Sequence, residues 1–249
     1  MTPAVTPGRT GDTIERMKPA EAAAGAPDRA WMRALAGKFV VFDGPDGSGK
    51  STQFRRFADA ARAAGVEVVE VREPGGTPIG EKIRTILLDP SNAEMTVRAE
   101  MLLYMASRAQ LFAQRIEPAL RGGALVLADR FVSSTLAYQG AAGGMDEDDI
   151  VAVGRVATGN HVPDLTVVFD VSTDVALSRL SPLLDRMEGK GREFHMRVRA
   201  GYLSQAERWP DRYVVVDSSV APDAVTASLH AAARAWAAAH AGARAHAHR

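Results

Sequence analysis

The chain reads as an α/β protein with a five-stranded parallel sheet covered by helices on both faces. Three observations carry that expectation. Short apolar runs alternate with helical patterns, which is how βα units are written in a sequence. Each run is mostly apolar, as burial on both faces requires. The first run, Lys38-Phe39-Val40-Val41-Phe42-Asp43, leads directly into Gly44-Pro45-Asp46-Gly47-Ser48-Gly49-Lys50-Ser51, the strand–loop–helix context of a P-loop.

The elements follow in order. The strand at 38–43 feeds the loop, and a helix near 49–64 begins with Thr52-Gln53-Phe54-Arg55-Arg56-Phe57. The strand at 66–71, Val-Glu-Val-Val-Glu-Val, ends in Arg72-Glu73-Pro74-Gly75-Gly76-Thr77, where Pro-Gly-Gly dictates a tight turn. Helices near 78–88 and 96–120 lead to the strand at 124–128, Ala-Leu-Val-Leu-Ala. Helices near 131–139 and 146–158 precede a strand at 165–170. Helices near 173–181 and 192–208, a strand at 213–216 and a helix near 222–239 complete the pattern. The domain spans 37–239. Residues 1–36, and above all the first 30, read as a disordered leader with few large apolar groups. Residues 240–249 read as a flexible Ala/His/Arg tail; His240, His246 and His248 also leave a metal-binding tail open as a weaker alternative.

Composition narrows the function classes. Apolar residues make up 46% and charged residues 24% of 249, ordinary values for a soluble globular chain. Net charge is zero, so there is no electrostatic footprint for nucleic acid or an anionic membrane, and neither is an expected partner. The absence of cysteine excludes disulfides, thiolate catalysis and Cys-based zinc sites, and it fits a cytoplasmic protein. No apolar run approaches the about 18 residues of a membrane span.

Four segments carry candidate chemistry. In the P-loop, Gly44, Pro45, Asp46, Gly47, Ser48 and Gly49 let backbone N–H groups turn around a phosphate. Lys50 reaches the β- and γ-phosphates of a nucleoside triphosphate, and the Ser51 hydroxyl binds Mg²⁺. Asp129 and Arg130 stand at the carboxyl end of the third strand, where ligands bind in open parallel sheets. There Asp129 suits Mg²⁺, partly through water, and Arg130 suits a second phosphate group; a helix cap followed by a surface arginine is the alternative. Arg72 and Glu73 bring charge to the ligand side of the second strand. Tyr104 and Arg108, four apart on one helix, share a face that suits a flat nucleobase, or else form a core tyrosine beside a surface arginine.

Taken together these segments resemble the thymidylate kinase family, over roughly 38–236. The resemblance rests on the P-loop and on Arg72-Glu73-Pro74-Gly75-Gly76-Thr77. It rests also on Asp129-Arg130-Phe131 followed by Ser134-Thr135-Leu136-Ala137-Tyr138-Gln139-Gly140, on Pro163-Asp164-Leu165-Thr166, and on Asp185-Arg186-Met187-Glu188. It implies a P-loop nucleoside monophosphate kinase fold and a transferase that converts dTMP to dTDP with ATP and Mg²⁺ in dTTP biosynthesis. It also implies a homodimer formed through the helices. By the same resemblance Asp46 lies near the acceptor sugar and phosphate, Glu73 lies beside that phosphate, and Arg72 and Arg130 hold it. Tyr104 stacks on thymine, Arg108 bonds its O4, Thr135 and Gln139 face the base, Ser134 belongs to the dTMP site, and Tyr138 crowds the sugar 2′ position. The stretch 179–192 is the lid.

The chain departs from the family at two places. Gly47 stands where some members carry a P-loop arginine, so the resemblance is to the type whose lid supplies the cation. In the lid, Ser181-Pro182-Leu183-Leu184 replaces a denser basic run. Arg186 is the expected catalytic residue because it sits in the matching motif, with Arg179 and Arg192 as alternatives.

Overall fold

The structure, a computed structural model, describes residues 29–181 and 183–240. Expectations for residues 1–28, Pro182 and 241–249, including His246 and His248, lie outside the described residues.

Five parallel strands form the sheet: β1 (Phe39–Asp43), β2 (Val68–Arg72), β3 (Leu125–Asp129), β4 (Leu165–Asp170) and β5 (Tyr213–Asp217), in spatial order β2-β3-β1-β4-β5. The ladders extend past three expected strand ends, because Arg72 and Phe42 each pair with Asp129 and Asp217 pairs with Asp170. Arg72 and Asp129 are thus the last strand residues rather than the first loop residues. From β1 the chain moves out to β2, back to β3, then crosses to β4, so the carboxyl end of β1 is a switch point where a crevice opens.

The helices are α1 (Lys50–Ala63), α2 (Pro78–Leu88), α3 (Val97–Leu111), α4 (Glu117–Arg121), α5 (Val132–Thr135), α6 (Glu147–Thr158), α7 (Thr173–Ser178), α8 (Arg192–Arg208) and α9 (Pro222–Ala239). Local chemistry sets several boundaries. Thr77 caps α2 by accepting from the Gly80 N–H at 3.0 Å, with Pro78 at the first turn. Asp146 caps α6, whose first turn carries Glu147, Asp148 and Asp149, and Gly159 closes it in the left-handed conformation. The single helix expected over 96–120 is interrupted by a π-helical turn at Phe112–Ile116 before α4. Pro118 explains the break, because it has no N–H to donate to the preceding turn.

β1 is buried along its whole length. On one face Val40 and Phe42 pack with Phe54 and Phe57 of α1 and with Leu229 and Trp236 of α9; the Phe42 ring lies 5.3 Å from Phe57 and 5.1 Å from Phe169. On the other, Phe39 and Val41 meet Leu111, Phe112, Ile116 and Phe131. Each such side chain contributes about 1.5–3 kcal/mol by leaving water.

Residues 30–35, expected as part of the leader, pack into the domain. Residues Ala30–Leu35 form a 3-10 turn whose Met32 and Leu35 are wholly buried in the α1/α9 core, and Trp31 packs at the Phe57 and His230 rings. The apolar side chains of this short stretch outweigh the polar, small-residue character of what precedes it. At the other end, His240 stacks on Trp236 with ring centroids 4.7 Å apart.

Candidate active site

Of the clefts at the carboxyl ends of the strands, two share Asp46 in their lining. The outer cleft, of about 260 Å³, is formed by Pro45–Thr52 and Arg179. No side chain caps α1, so its amino end faces the cleft with its dipole unsatisfied, as an anion site requires. Lys50 is buried and donates to Asp129 across the strand ends. Ser48 Oγ is buried without a protein partner among the described residues. Gly47 has φ 76°, and a Cβ there would lie 2.1 Å from the Ala176 carbonyl oxygen. No side chain fits at that position, which gives the departure at Gly47 a steric basis.

The wall between the clefts is built around Arg130. Its backbone sits at φ 73°, in the left-handed region that costs a non-glycine residue roughly 1 kcal/mol or more. Surrounding bonds hold it there. Nη1 donates to Tyr202 Oη at 3.0 Å, Ser134 Oγ at 3.1 Å and the Gly44 carbonyl at 3.1 Å. Nη2 donates to Asp46, which also accepts from Tyr138 Oη at 2.7 Å. Behind this layer Asp43, wholly buried, accepts from Tyr202, Ser133 and Ser134, each at 2.6 Å. Burial pushes Asp46 up, but the Arg130 charge, the Tyr138 hydroxyl and Lys50 outweigh it and hold the carboxyl below its usual value. Burial works against the Arg130 charge, yet Asp46, the two tyrosines and Asp43 keep that charge in place.

The inner cleft, of about 100 Å³, lies beyond Arg130. Glu73, Tyr104, Ser134, Thr135, Tyr138 and Gln139, all expected at one site, line it together. Tyr104 is half-buried, and burial, then Glu100, push its phenol well up, so the ring is neutral. Tyr138 lies beneath the guanidinium of Arg130, 5.2 Å from ring centroid to Cζ. Glu73 is buried with Oε1 unpartnered among the described residues, while Oε2 accepts from Arg108 Nε at 2.8 Å and Nη2 at 2.6 Å. Burial, only partly offset by Arg108, pushes the Glu73 carboxyl up to about 7.

Three expected roles change. Arg108 does not line the cleft: its guanidinium, 1% exposed, is engaged by Glu73, Thr135 and Met105 one layer behind the wall. It orders Glu73 and Thr135 instead of presenting donors itself. Arg72 does not reach the inner cleft either. It donates to both oxygens of Glu81 at 3.0 Å and borders an opening beside Ser51 and Asp129. The third change concerns the lid. Arg186 is buried, pairs with Glu100 at 2.6 Å and donates from Nε to the Leu87 carbonyl at 2.7 Å, so it faces α3 and not the P-loop. Arg192 pairs with Asp174. Among the described lid cations Arg179 is the one that lines the outer cleft, with Nη1 3.4 Å from the Gly47 carbonyl oxygen.

The structure also adds residues. Arg84 lines the inner cleft and donates to the Pro74 carbonyl at 3.0 Å. Asp43 and Tyr202 support Arg130. Glu100, fully buried, accepts from Gln139, Arg186 and Lys190. Asp43 ends an apolar strand and Glu100 interrupts an apolar helix face, which marks both as buried charges; nothing in the pattern marks Arg84 or Tyr202.

Comparison with known proteins agrees with this geometry. The family model described as thymidylate kinase matches residues 42–229. A thymidylate kinase of Pseudomonas fluorescens is 47% identical over 187 residues, covering 74% of this chain and 89% of that protein. One of a Geobacillus species is 42% identical over 202 residues, covering 80% and 96%. The crystal structure of thymidylate kinase from Ehrlichia chaffeensis superposes with a TM-score of 0.63 at 31% identity, covering 80% of this chain and 97% of that one. Matched by the family model over most of its length and by relatives at 42–47% identity, this chain belongs to the thymidylate kinase family.

Proposed function

We propose that the phosphorylation of dTMP to dTDP, the reaction of its family, runs across the wall between the two clefts, with ATP in the outer and dTMP in the inner. The observation that carries this assignment is Asp46, which lines both clefts and is bonded to Arg130. Donor and acceptor phosphates would meet at that pair.

The P-loop and the amino end of α1 hold the β- and γ-phosphates, and Lys50, drawn toward Asp129, adds a positive charge. Arg130, fixed by Tyr202, Ser134 and Gly44, holds the acceptor phosphate. That phosphate is already largely ionised near neutral pH, since its second pKa is about 6, so no strong general base is needed. Tyr104 offers its ring to the base, and Tyr138 stands against the sugar. Arg179 is the lid cation that reaches the transferring group when the lid closes, in place of Arg186.

The donor set fits Mg²⁺: Ser51 and Asp129 offer hard oxygens beside the P-loop, and Mg²⁺ takes few protein ligands when substrate phosphates complete its shell. Bound there, the ion would neutralise phosphate charge.

A homodimer is the proposed assembly. Leu102 on α3 is 50% exposed and Val156 on α6 is 86% exposed, on two helices that pack together. Among the described residues no helix is long and apolar enough to cross a membrane. We place the reaction in the cytoplasm.

The test is an acceptor panel of dTMP, dUMP, UMP, dCMP, AMP and thymidine with ATP and Mg²⁺. dTMP should be the best acceptor and dTDP the product; ATP binding without transfer to dTMP would overturn the assignment.

A further inference from the structure

Gln139 lies in the inner cleft at 1% exposure, and its side-chain amide has two chemically opposite ends. Which end faces the cleft decides what the cleft can recognise. Glu100 settles the orientation. Its carboxylate is wholly buried, with Arg186 Nη1 at 2.6 Å and Lys190 Nζ at 3.1 Å from Oε2. A carboxylate between two cations only accepts. The Gln139 atom 2.6 Å from Glu100 Oε1 must therefore be Nε2 donating, because the carbonyl end there would set two oxygens against each other. The other end, Oε1, has no partner among the described residues.

We infer that Glu100 is a positioning residue for base selection: by holding Gln139 Nε2 it leaves the Gln139 carbonyl oxygen as the group offered to the base, which selects a pyrimidine with an N–H at ring position 3. This rests on the proposed acceptor site. Thymine and uracil carry that N–H, whereas cytosine carries a lone pair there and would face oxygen against lone pair. Glu100 also receives Arg186 and Lys190 from the lid segment, so the group that orients the base-reading amide is the group on which the lid is anchored. Loss of Glu100 frees the amide to turn and removes the penalty against cytosine.

The experiment measures kcat/KM for dTMP and dCMP in the unvaried enzyme, in Glu100→Gln and in Glu100→Asp, with Tm for each. Glu100→Gln should lower the dTMP-to-dCMP ratio at least tenfold, mainly by raising KM for dTMP and lowering it for dCMP. Glu100→Asp keeps the charge that Arg186 and Lys190 require but withdraws it from Gln139, and should lower the ratio severalfold. A ratio within twofold of the unvaried enzyme in either folded variant overturns the inference, since a purely structural role would slow both acceptors equally. The unvaried enzyme gives a further measurement that needs no substitution. N3-methyl-dTMP should compete with dTMP at least tenfold less well than added dTMP does, and equal competition overturns the inference. If the unvaried enzyme does not phosphorylate dTMP, the acceptor assignment itself fails, which is a distinct result.

Discussion

Arg130 donates to Asp46 across the wall between the two clefts, so the only carboxylate within the P-loop is neutralised by a residue that lines the inner cleft. The contact is worth about 1.5–3 kcal/mol as a hydrogen bond between charged groups. It also holds the guanidinium in place before any phosphate arrives. Arg130→Ala should therefore raise KM for dTMP by tenfold or more with a smaller effect on KM for ATP. Steady-state kinetics with each substrate varied checks this, and unchanged acceptor kinetics would count against the clamp.

Tyr202→Phe removes one hydroxyl that both donates to Asp43 and accepts from Arg130. The ring still fills its space, so the core should survive. We expect a loss of about 1–2 kcal/mol in unfolding free energy and a severalfold rise in KM for dTMP, measured by denaturant titration and kinetics. A variant identical to the parent in both would mean that Arg130 does not depend on this layer.

Lys50→Ala should reduce kcat by about 10³-fold while the circular dichroism spectrum is kept, by analogy with the loss of one fixed charge at a developing anion. Near-normal turnover would remove Lys50 from the mechanism.

Arg179 and Arg186 are separable. Arg179 is exposed at the outer cleft, so Arg179→Ala should lower kcat more than it changes KM for dTMP, with Tm nearly constant. Arg186→Ala leaves Glu100 buried with Lys190 as its remaining cation, and should cost about 3 kcal/mol of stability. The opposite pattern would restore Arg186 to the catalytic role.

Glu73 sets a pH dependence. Its carboxyl is raised from an ordinary 4.5 to about 7, chiefly by burial and against the pull of Arg108. Between those values the folded chain keeps a proton that the unfolded chain has released, so stability falls as pH rises through that window and levels off above it. The difference in unfolding free energy between the parent and Glu73→Gln should fall from pH 4.5 to pH 7 and be flat beyond. A difference that is constant with pH would show that the carboxyl is not shifted.

Much of this site was legible because it is written locally. The P-loop is eight contiguous residues, Asp129-Arg130 directly ends an apolar strand, and Thr77 with Pro78 announces a helix start. The parts that were misread depend on contacts between distant segments. Arg186 sits in the lid motif, but its partners Glu100 and Leu87 belong to α3 and α2, and nothing near Arg186 predicts that it turns away from the phosphates. Arg108 stays four residues from Tyr104 as its spacing requires, yet Glu73, from another turn, takes up its guanidinium. Residues 30–35 differ from the small-residue stretch before them in carrying Trp31, Met32 and Leu35, a legible apolar signal that the leader expectation overlooks, and these side chains join the core of α1 and α9.

The close approach at Gly47 also has a mechanical meaning. Its α-carbon rests against the Ala176 carbonyl in α7, and Arg179 follows directly at the end of that helix. Loop and helix share a bearing surface, and the contact that excludes a side chain at Gly47 also sets where α7 ends and where Arg179 stands at the outer cleft. A side chain at position 47 would have to push α7 aside and carry Arg179 with it, so this one contact fixes how far that cation stands from the outer cleft.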